Sequence, residues 1–448
     1  MRLSADDVPA AAVELLRARE AEAGRLDRIR YYVHDPDPAT TEGRLAWSHR
    51  GPLRWLPKGA PPEVRQLASI ARVNMLRYIV EHSVQALYVD GFRAPNAAAE
   101  EPAWATWQRN RMDARQTAVH RGSLTYGVAY VVVLPGDPVA VLRPASPRAL
   151  TAVYGDDDDW PQLALELRRS PRPGVRLYRL LDEERAWWLE VDDARTVTIV
   201  SSEEHGVGVV PVVRFLCTLD ADPDQGPRGE VEPLIPLQDQ INITTFGLLV
   251  AQHYGAFRQR YIIGWLAESE AKALEASARK LWTFEDENVK VGEFGQTDLK
   301  GYLDSREATL RALATVSQTP AHELLGQLVN LSAEALAAME RSHRAKIAER
   351  QVVFGEAWEQ TLELAAEIDG QPSDPAAFVR WRDTEARSLA QTADALGKLV
   401  TMLGVPPQEL WERIPGVSQQ EVERWKARAA EGSALEQLAR VLTEQART

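Results

Sequence analysis

The sequence predicts an α+β fold, and three observations point to it. Apolar residues recur at intervals of three and four along residues 5–30 and 61–84, which is the period of an amphipathic helix. From residue 126 onward, short apolar or alternating segments are separated by turn residues, as in antiparallel strands. From residue 230 the helical period returns, so strands and helices are segregated along the chain, as in α+β proteins.

Composition and charge limit the classes of protein to consider. Hydrophobic residues make up 45% of the 448 residues and charged residues 26%, as in ordinary soluble globular proteins. These values exclude a mainly disordered chain, a collagen and a disulfide scaffold. The formal net charge of −13 excludes a basic footprint over the whole chain for nucleic acid. Cys217 is the single cysteine, so no internal disulfide can form, and a reducing compartment or a protein that does not use thiols fits.

The sequence predicts no targeting segment and no membrane partner. Asp6, Asp7 and Glu14 lie where a signal peptide needs an uninterrupted apolar stretch. The longest apolar runs, at residues 130–134 and 207–213, are far shorter than the roughly 20 residues that cross a bilayer.

Residues 1–220 are predicted to form an α+β body with an antiparallel sheet. Helices are predicted over residues 5–30, 61–84 and 104–124. Strands are predicted over residues 126–134, 139–142, 163–167, 175–181, 186–191 and 196–200.

The second half of the chain is predicted to be mainly helical. A turn-rich connector, residues 219–229, leads into a long helix over residues 230–254. A small module follows, with strands at residues 258–265 and 289–291 around a charged helix at residues 268–281. A cluster of lysines, Lys272, Lys280, Lys290 and Lys300, marks this stretch as a separate module.

Further helices are predicted towards the C-terminal end. Asp304 or Ser305 is expected to cap a helix over residues 304–316, and residues 317–331 form a loop. Ser332 is expected to cap a very long helix that extends to about residue 369. Residues 371–384 are predicted to be a break, after which short helices follow at residues 384–403, 407–413, 418–430 and 433–445.

The motif search predicts no catalytic, cofactor-binding or metal-ligating residues. Gly206-Val-Gly208-Val-Val-Pro211 begins like a dinucleotide fingerprint, but Pro211 replaces the third glycine, so we interpret it as a turn into a strand. His322-Glu323 lacks the second histidine of a zincin motif, so a polar pair in a loop is favoured. Asp156–Asp159 is interpreted as a solvated acidic turn, because it lacks an ordered ligand pattern for a cation such as Ca²⁺.

Two further residue types are interpreted as structural. Cys217 has no recognisable nucleophile context, so a buried thiol is predicted. Tryptophans could stack bases, but Lys and Arg are not interleaved with them on one face. We therefore expect core or subunit-contact packing for the tryptophans, among them Trp104, Trp107, Trp187 and Trp188.

Several stretches, in this order along the chain, resemble the portal proteins of tailed bacteriophages, specifically of the siphophage type. The helix-to-strand passage of the family's wing is similar to residues 110–132, NRMDARQTAVHRGSLTYGVAYVV. The first stem helix is similar to residues 230–250, EVEPLIPLQDQINITTFGLLV. The clip and its exit resemble residues 282–303, WTFEDENVKVGEFGQTDLKGYL, and the channel loop with the start of the long helix resembles residues 319–336, TPAHELLGQLVNLSAEAL. The resemblance covers most of residues 1–370, and the tail resembles a helical crown only in being helical.

The resemblance implies a portal-like α+β subunit with seven parts. These are the N-terminal wing (1–228), the first stem helix (229–257), a small α/β clip (258–301), the second stem helix (302–318), the channel loop (319–331), a long helix that completes the wing (332–383) and a helical crown (384–448).

The resemblance also implies a function without catalysis or cofactors. Identical subunits, usually twelve, would form a ring at one capsid vertex of the virion after assembly in the host bacterial cytoplasm. Double-stranded DNA would pass through the ring during packaging and ejection. The implied protein partners are the terminase large subunit, the major capsid and scaffolding proteins, and a head-completion adaptor.

The resemblance assigns two groups of site residues. The channel loop contains Leu325, Gly326, Gln327, Leu328, Val329 and Asn330. These residues carry no positive charge. This suits a channel through which DNA slides, because each firm contact between a cation and a DNA phosphate adds salt-dependent affinity that would slow the DNA. We therefore expect low intrinsic affinity for DNA. Charged residues near the predicted tip of the clip are candidates for docking the motor: Glu285, Asp286, Glu287 and Lys290.

Two other classes remain open on sequence alone. One is a metal-dependent hydrolase that uses the scattered histidines and aspartates, and the other is a monomeric helical adaptor. Oligomeric state separates the ring from both of these alternatives.

Overall fold

The computed structural model describes residues 1–34, 56–57, 59–155, 159–170, 172–222, 226–255, 260–263, 290–293, 298–326, 333–382, 389–414, 417 and 421–430. The α-helices are α1 (Val8–Val33), α2 (Pro62–Ile70), α3 (Met75–Ala86), α4 (Ala97–Arg109), α5 (Met112–Tyr126), α6 (Ile235–Gly255), α7 (Lys300–Ser317), α8 (Ala321–Leu325), α9 (Ala333–Ile368), α10 (Leu389–Leu403) and α11 (Pro407–Leu410). The strands are β1 (Val89–Arg93), β2 (Val128–Leu134), β3 (Val141–Ala145), β4 (Leu150–Val153), β5 (Leu163–Arg168), β6 (Arg176–Leu181), β7 (Arg185–Val191), β8 (Val197–Glu204), β9 (Val212–Leu216), β10 (Arg260–Ile263), β11 (Lys290–Glu293) and β12 (Phe378–Trp381).

The chain divides into two compact units. The first contains residues 1–30, 77–232 and 341–448, and the second contains residues 31–76 and 233–340. Helices and strands occur in both, so the predicted α+β class is confirmed.

The first unit contains a five-stranded antiparallel sheet in the order β4-β5-β6-β7-β8. One face packs on α1, where Val8 and Leu15 contact a cluster that includes Tyr178 and Leu180. The other face packs on a three-stranded sheet, β3-β2-β9, through a cluster that includes Leu181 and Val132. Because successive residues of a strand point to opposite faces, β6 supplies apolar residues to both layers. The antiparallel sheet predicted for this region is confirmed.

The long helix α9 passes through the core of the first unit. Trp358 and Phe354 are fully buried. The Trp358 ring contacts Trp107 at a centroid distance of 4.9 Å and Phe215 at 4.6 Å, both edge-on. His120 on α5 stacks on Phe354 at 5.1 Å. Such aromatic pairs contribute beyond the area they bury, so α9 is held by specific ring contacts.

Strands β1 and β12 form a separate antiparallel pair, and side chains cap its outer edges. The amide of Gln116 accepts from the N–H of Val89 at 2.7 Å and donates to its carbonyl oxygen at 2.9 Å. On β12, the N–H of Val379 donates to Oε1 of Glu359 at 3.0 Å. These bonds satisfy backbone groups that the two-stranded pairing leaves free.

Two of the predicted helices are interrupted. The single helix expected over residues 61–84 is two helices, α2 and α3, because the backbone between them bonds to side chains of α6 instead of continuing its own ladder. The helix expected over residues 104–124 is also two, α4 and α5, and Arg111 between them has a φ of 54°. A residue in this left-handed conformation ends an α-helix.

Other element boundaries also differ from the sequence predictions. Helix α7 begins at Lys300, so Asp304 and Ser305 lie inside it, and Asp298 accepts the N–H of Lys300. The expected loop at residues 317–331 contains the short helix α8, and the expected break at residues 371–384 contains β12. The predictions for residues 268–281, 433–445 and Ser332 lie outside the described residues.

Candidate functional site

The candidate functional site lies in the second unit and is built on the packed helices α6 and α7. Their contact includes Gly247, where an added Cβ would lie 2.9 Å from Cε1 of Tyr302. A real Cβ does not tolerate this distance without a shift of its neighbour. The absence of a side chain at residue 247 therefore allows the Tyr302 ring to approach the backbone of α6.

Helix α6 is uncharged over most of its length and mainly apolar from Phe246 to Ala251. Residues 240–252 contain no charged residue, and residues 244–251 are all half-buried. Ile243 is 42% exposed and Tyr254 46%. A helix that is apolar on every side is normally covered on every side. The described residues of the chain leave this helix only partly covered.

The first turns of α6 are held by two buried amide side chains. Gln238 donates to the carbonyl oxygen of Val73 at 2.6 Å and accepts from the N–H of Met75 at 3.0 Å. Asn242 accepts from the N–H of Val73 at 3.2 Å and from Gln238 at 3.1 Å. The backbone at residues 73–75 is thereby satisfied by α6, which explains the gap between α2 and α3.

The base of the expected channel loop follows α7 directly. Gln318 ends α7 with a φ of 53°, and the hydroxyls of Ser317 and Thr319 lie 3.0 Å apart. Leu324 is buried, Leu325 is half-buried, and Gly326 is exposed with a φ of 64°. A positive φ suits glycine, because it has no Cβ to clash. The remaining predicted loop residues, Gln327, Leu328, Val329 and Asn330, lie outside the described residues.

In the region where the clip is expected, the structure describes the antiparallel pair β10–β11. Ile263 pairs with Lys290, and Lys290 is exposed. Of the four residues predicted to dock the motor, only Lys290 is described. Glu285, Asp286 and Glu287 lie outside the described residues.

In the first unit, the connector that precedes α6 passes very close to the junction of α5 and β2. Gly127 has a φ of 96°, and a Cβ there would lie 2.5 Å from the carbonyl carbon of Pro227. A Cβ at Gly229 would lie 2.6 Å from the carbonyl oxygen of Thr125. Arg25 donates to the carbonyl oxygen of Pro227 at 2.5 Å. Two glycines and one arginine thus fix the connector to this junction.

A buried ionic cluster holds the end of this connector. Nζ of Lys346 lies 3.1 Å from Oε2 of Glu230 and 3.0 Å from the hydroxyl of Ser83. Nε of Arg350 lies 3.9 Å from Oε1 of Glu230. The cluster links α9 and α3 to the connector, and its burial makes each charge dependent on the others.

Sequence reasoning did not single out the residues of these contacts. Gln238 and Asn242 are four residues apart and therefore lie on one face of the helix, and this spacing of two amides is the signal that could have found them. Glu230 and Lys346 gave no such signal, because charged residues are common along both segments.

The fold accounts for the residues that were considered as possible functional motifs. Cys217 is buried, as predicted. Burial raises the pKa of its thiol to about 12, and the nearby Glu230 carboxylate contributes to this rise. Gly206 and Gly208 have positive φ and lead towards β9, which confirms the predicted turn. His322 and Glu323 lie 3.5 Å apart on α8.

Other predictions concern packing and metal binding. Trp107 and Trp187 are buried and Trp104 stacks on Trp107, which supports core packing. Asp156 to Asp158 lie outside the described residues. Within the described ranges, no group of three or more His, Cys, Asp or Glu residues is arranged to hold a metal ion. No helix in the part of the chain that the structure describes has the length and apolar character to cross a membrane.

Comparison with known sequences gives a family match over most of the chain. A family model described as phage portal protein, SPP1 Gp6-like, matches residues 17–434. The portal protein of Mycobacterium phage L5 is 24% identical over 408 residues, which cover 82% of this chain and 80% of that protein. The portal protein of Mycobacterium phage D29 is 24% identical over 399 residues, which cover 82% of this chain and 81% of that protein.

Solved structures give more distant similarity. A chain from the virion of a native gene transfer agent particle has a TM-score of 0.49 and 14% identity, and the match covers 81% of this chain and 98% of that one. A chain from the neck of a native gene transfer agent particle, computed with C12 symmetry, has a TM-score of 0.45 and 14% identity, with coverage of 79% and 96%.

Proposed function

Because this chain belongs to the SPP1 Gp6-like family of phage portal proteins, we propose that its copies close into a ring at one vertex of a phage capsid. The chain is a portal subunit, and the family is a structural component of virions. Family membership does not favour the two alternatives, a metal-dependent hydrolase and a monomeric helical adaptor.

The uncharged, partly covered segment of α6 at residues 240–252 is the observation that carries the ring proposal. A helical segment without charge, residues 240–252, whose residues 244–251 are half-buried on all sides, favours a further covering surface. In a ring, the α6–α7 pair of the next subunit supplies that surface at every position, because a cyclic array repeats one heterologous contact. Leu303 and Val316 on α7 are also exposed and would be covered by the same contact.

The proposed parts of the subunit follow the sequence predictions. Helices α6 and α7 form the stem, β10 and β11 belong to the clip, and α8 with Gly326 leads into the channel loop. The sheets and α9 belong to the wing, and α10 with the following helices forms the crown. Support comes from the apolar surface of α6 and from the base of the loop at the end of α7.

The proposed partners act at different parts of the ring. The terminase large subunit docks at the clip, with Lys290 and the charged residues at positions 285–287 as contacts. The major capsid, scaffolding and head-completion proteins bind other surfaces of the ring, and subunits assemble in the host bacterial cytoplasm. Double-stranded DNA passes through the channel, where the uncharged segment from Leu325 to Asn330 offers no cation to hold its phosphates. We propose twelve subunits per ring.

Electron microscopy of the purified full chain, with its mass in solution, tests the ring. We expect class averages with a central hole and a mass near twelve chains of 49.9 kDa. A closed ring with another number of subunits would correct only the proposed copy number. A chain that stays monomeric or dimeric, and also fails to form rings when co-expressed with its capsid and scaffolding proteins, contradicts the proposal.

A double substitution tests the channel loop separately. Gln327→Asp with Asn330→Asp places two rings of negative charge in the channel, which repel the DNA phosphates, so we expect packaging to fail while rings still assemble. The control is Gln327→Asn with Asn330→Gln, which keeps the loop neutral and preserves packaging. Normal packaging by the aspartate variant places these residues outside the channel.

A further inference from the structure

The first unit contains an open pocket between α4, α9 and the loop at residues 372–377. It holds about 360 Å³ of empty space, part of which is open to solvent. Pockets for small ligands run from about 300 to 1,000 Å³, so this one suits the end of a side chain better than a whole cofactor or nucleotide. Its apolar lining includes Phe92, Ala99, Ala103, Leu362, Ala366 and Pro372.

Three carboxylates also line the pocket, and no cation accompanies them. Glu359 and Glu363 lie four residues apart on α9 and therefore on one face of the helix. Asp374 lies on the loop. Among the described residues, no Lys, Arg or His lines the pocket, and no ion pair engages these three carboxylates. The pocket therefore combines an apolar lining with uncompensated negative charge.

The acidic character continues along the chain on both sides of the pocket. Residues 351–379 contain six Asp and Glu residues and no Lys, Arg or His. Like charges four residues apart on a helix repel each other, so a cation bound between Glu359 and Glu363 would relieve this repulsion. Arg93 follows the lining residue Phe92, but it donates to Glu100 at 2.6 Å. The arginine that is closest in sequence to the β1 lining is thus already engaged.

Hydrogen bonds hold two of the carboxylates in place. Asp374 accepts the N–H of Asn96 at 2.8 Å, which fixes the loop to the start of α4. Oε1 of Glu359 accepts the N–H of Val379 at 3.0 Å. Burial raises the pKa of Glu359 above its ordinary value, and the neighbouring Glu356 adds to this rise. The negative charges of the pocket are therefore positioned by the fold before any ligand arrives.

These features select an organic cation as the ligand. The negative charge disfavours phosphates and nucleic acid. A metal ion is also disfavoured, because within the described ranges no group of three or more His, Cys, Asp or Glu residues is arranged to hold one. An arginine side chain fits best, since its stem is apolar. Its planar guanidinium is weakly hydrated, donates from five N–H groups and stacks on aromatic rings such as Phe92.

The surroundings of the pocket favour an arginine of another protein over a free amine. Phe378 follows the lining residue Ala377 and is 54% exposed. A protein can cover this apolar ring while its arginine enters the pocket, whereas a small amine leaves the ring in water.

We propose that this pocket binds an arginine side chain of a partner protein, with the guanidinium between Glu359 and Glu363 and the stem along Phe92 and Leu362. The contact is independent of ring closure, because every lining residue belongs to the first unit. It adds a specific binding site for a partner to the proposed function.

Peptide binding to the purified full chain tests the pocket. The probe is a five-residue peptide with one central arginine between alanines, and its control carries citrulline, the neutral isostere, at the same place. Titrations followed by saturation-transfer NMR give the dissociation constants. We expect the arginine peptide to bind about tenfold more tightly than the citrulline peptide, because hydrogen bonds between charged groups are the stronger ones. Spermidine, a free polyamine, should also bind more weakly than the arginine peptide.

Two variants locate the binding. Glu363→Gln removes one exposed carboxylate of the pocket and should weaken binding of the arginine peptide about fivefold. Glu367→Gln is the matched control, because Glu367 is exposed one turn further along α9 and does not line the pocket. Ala377→Leu fills part of the pocket and should abolish binding. Circular dichroism melting shows whether each variant is folded.

Three results would overturn the proposal. The first is equal binding of the arginine and citrulline peptides. The second is binding that neither Glu363→Gln nor Ala377→Leu weakens, since the peptide then binds elsewhere. The third is tighter binding of spermidine than of the arginine peptide, which would make the pocket a polyamine site. All three leave the ring untouched, because electron microscopy tests the ring separately.

Discussion

Nε2 of His120 accepts a hydrogen bond of 2.9 Å from the indole Nε1 of Trp358. An indole nitrogen can only donate, so Nε2 must be the unprotonated nitrogen of the ring. Nδ1 therefore carries the proton and donates to the carbonyl oxygen of Leu87 at 3.1 Å. The fold accommodates His120 only as the neutral imidazole.

This arrangement predicts a stability loss in acid. Burial lowers the pKa of His120 from 6.5 to about 3. Above pH 6.5 the His120 imidazole is neutral in both the folded and the unfolded chain, so it does not make the unfolding free energy depend on pH. Between pH 6.5 and 3 the unfolded chain binds a proton that the folded chain excludes, so stability falls as pH falls. At pH 5 this amounts to about 2 kcal/mol of unfolding free energy.

His120→Gln provides the comparison, because glutamine also offers one acceptor and one donor but does not titrate. We expect the variant to be less stable at pH 7, yet to lose about 2 kcal/mol less than the wild type between pH 7 and pH 5. Urea titrations at both pH values measure the difference, and other groups cancel in the comparison. If the wild type and the variant lost the same unfolding free energy between pH 7 and pH 5, His120 would have to bind a proton in the folded chain.

The buried cluster around Glu230 predicts a large and non-additive effect. Lys346→Met should lower the unfolding free energy by about 3 kcal/mol, because it removes a buried partner of Glu230. Lys398→Met is the matched control, since Lys398 forms an exposed pair with Asp394 and should change stability by less than about 1 kcal/mol. Adding Glu230→Gln to Lys346→Met should cost less than the sum of the single changes in chemical denaturation. Strict additivity would show that the two charges do not interact.

Because the backbone of the connector lies so close to Gly127, we expect this position to tolerate no side chain. Gly127→Ala combines a positive φ with a clash against the Pro227 backbone, and we expect a loss of at least about 3 kcal/mol. Gly174 also has a positive φ, but no atom lies within 4 Å of the position that an added Cβ would take. Gly174→Ala should therefore cost only about 1 kcal/mol. Thermal unfolding of both variants gives the comparison, and equal losses would exclude a steric role for the connector.

The close approach of α6 and α7 predicts a compensating pair. Gly247→Val should lower the unfolding free energy by about 1–3 kcal/mol, because the new side chain meets the Tyr302 ring. Tyr302→Ala removes that ring, so the double variant should be more stable than Gly247→Val alone. Gly301→Val is the control, since Gly301 faces open space. Urea denaturation of the four proteins measures the coupling, and its absence would argue against the packing at Gly247.

The elements that the sequence predicted best depend on local pattern. Helix α9 and the meander from β5 to β8 follow from helical period, alternation and turn residues that lie inside each element. The break between α2 and α3 was missed because the apolar spacing continues across it. This break depends on Gln238 and Asn242, which are remote in sequence from Val73 and Met75.

The candidate site was predictable only in part, for a related reason. Helix α6 could be placed from its apolar residues, and the end of the helical pattern after α7 from Pro320 and Gly326. The pair β1–β12 joins residues as distant as Phe92 and Val379, and neither four-to-five-residue segment shows a pattern that identifies its partner. Contacts between distant segments set these features, so local sequence does not encode them.

The side-chain caps on the β1–β12 pair affect what happens when many copies meet. A bare two-stranded edge is a template on which strands from other molecules add without limit. Gln116 on one side and Glu359 on the other each occupy one backbone amide that such an addition would use. A protein that gathers in many copies at one place during virion assembly is thereby protected at this edge against polymerising into fibrils.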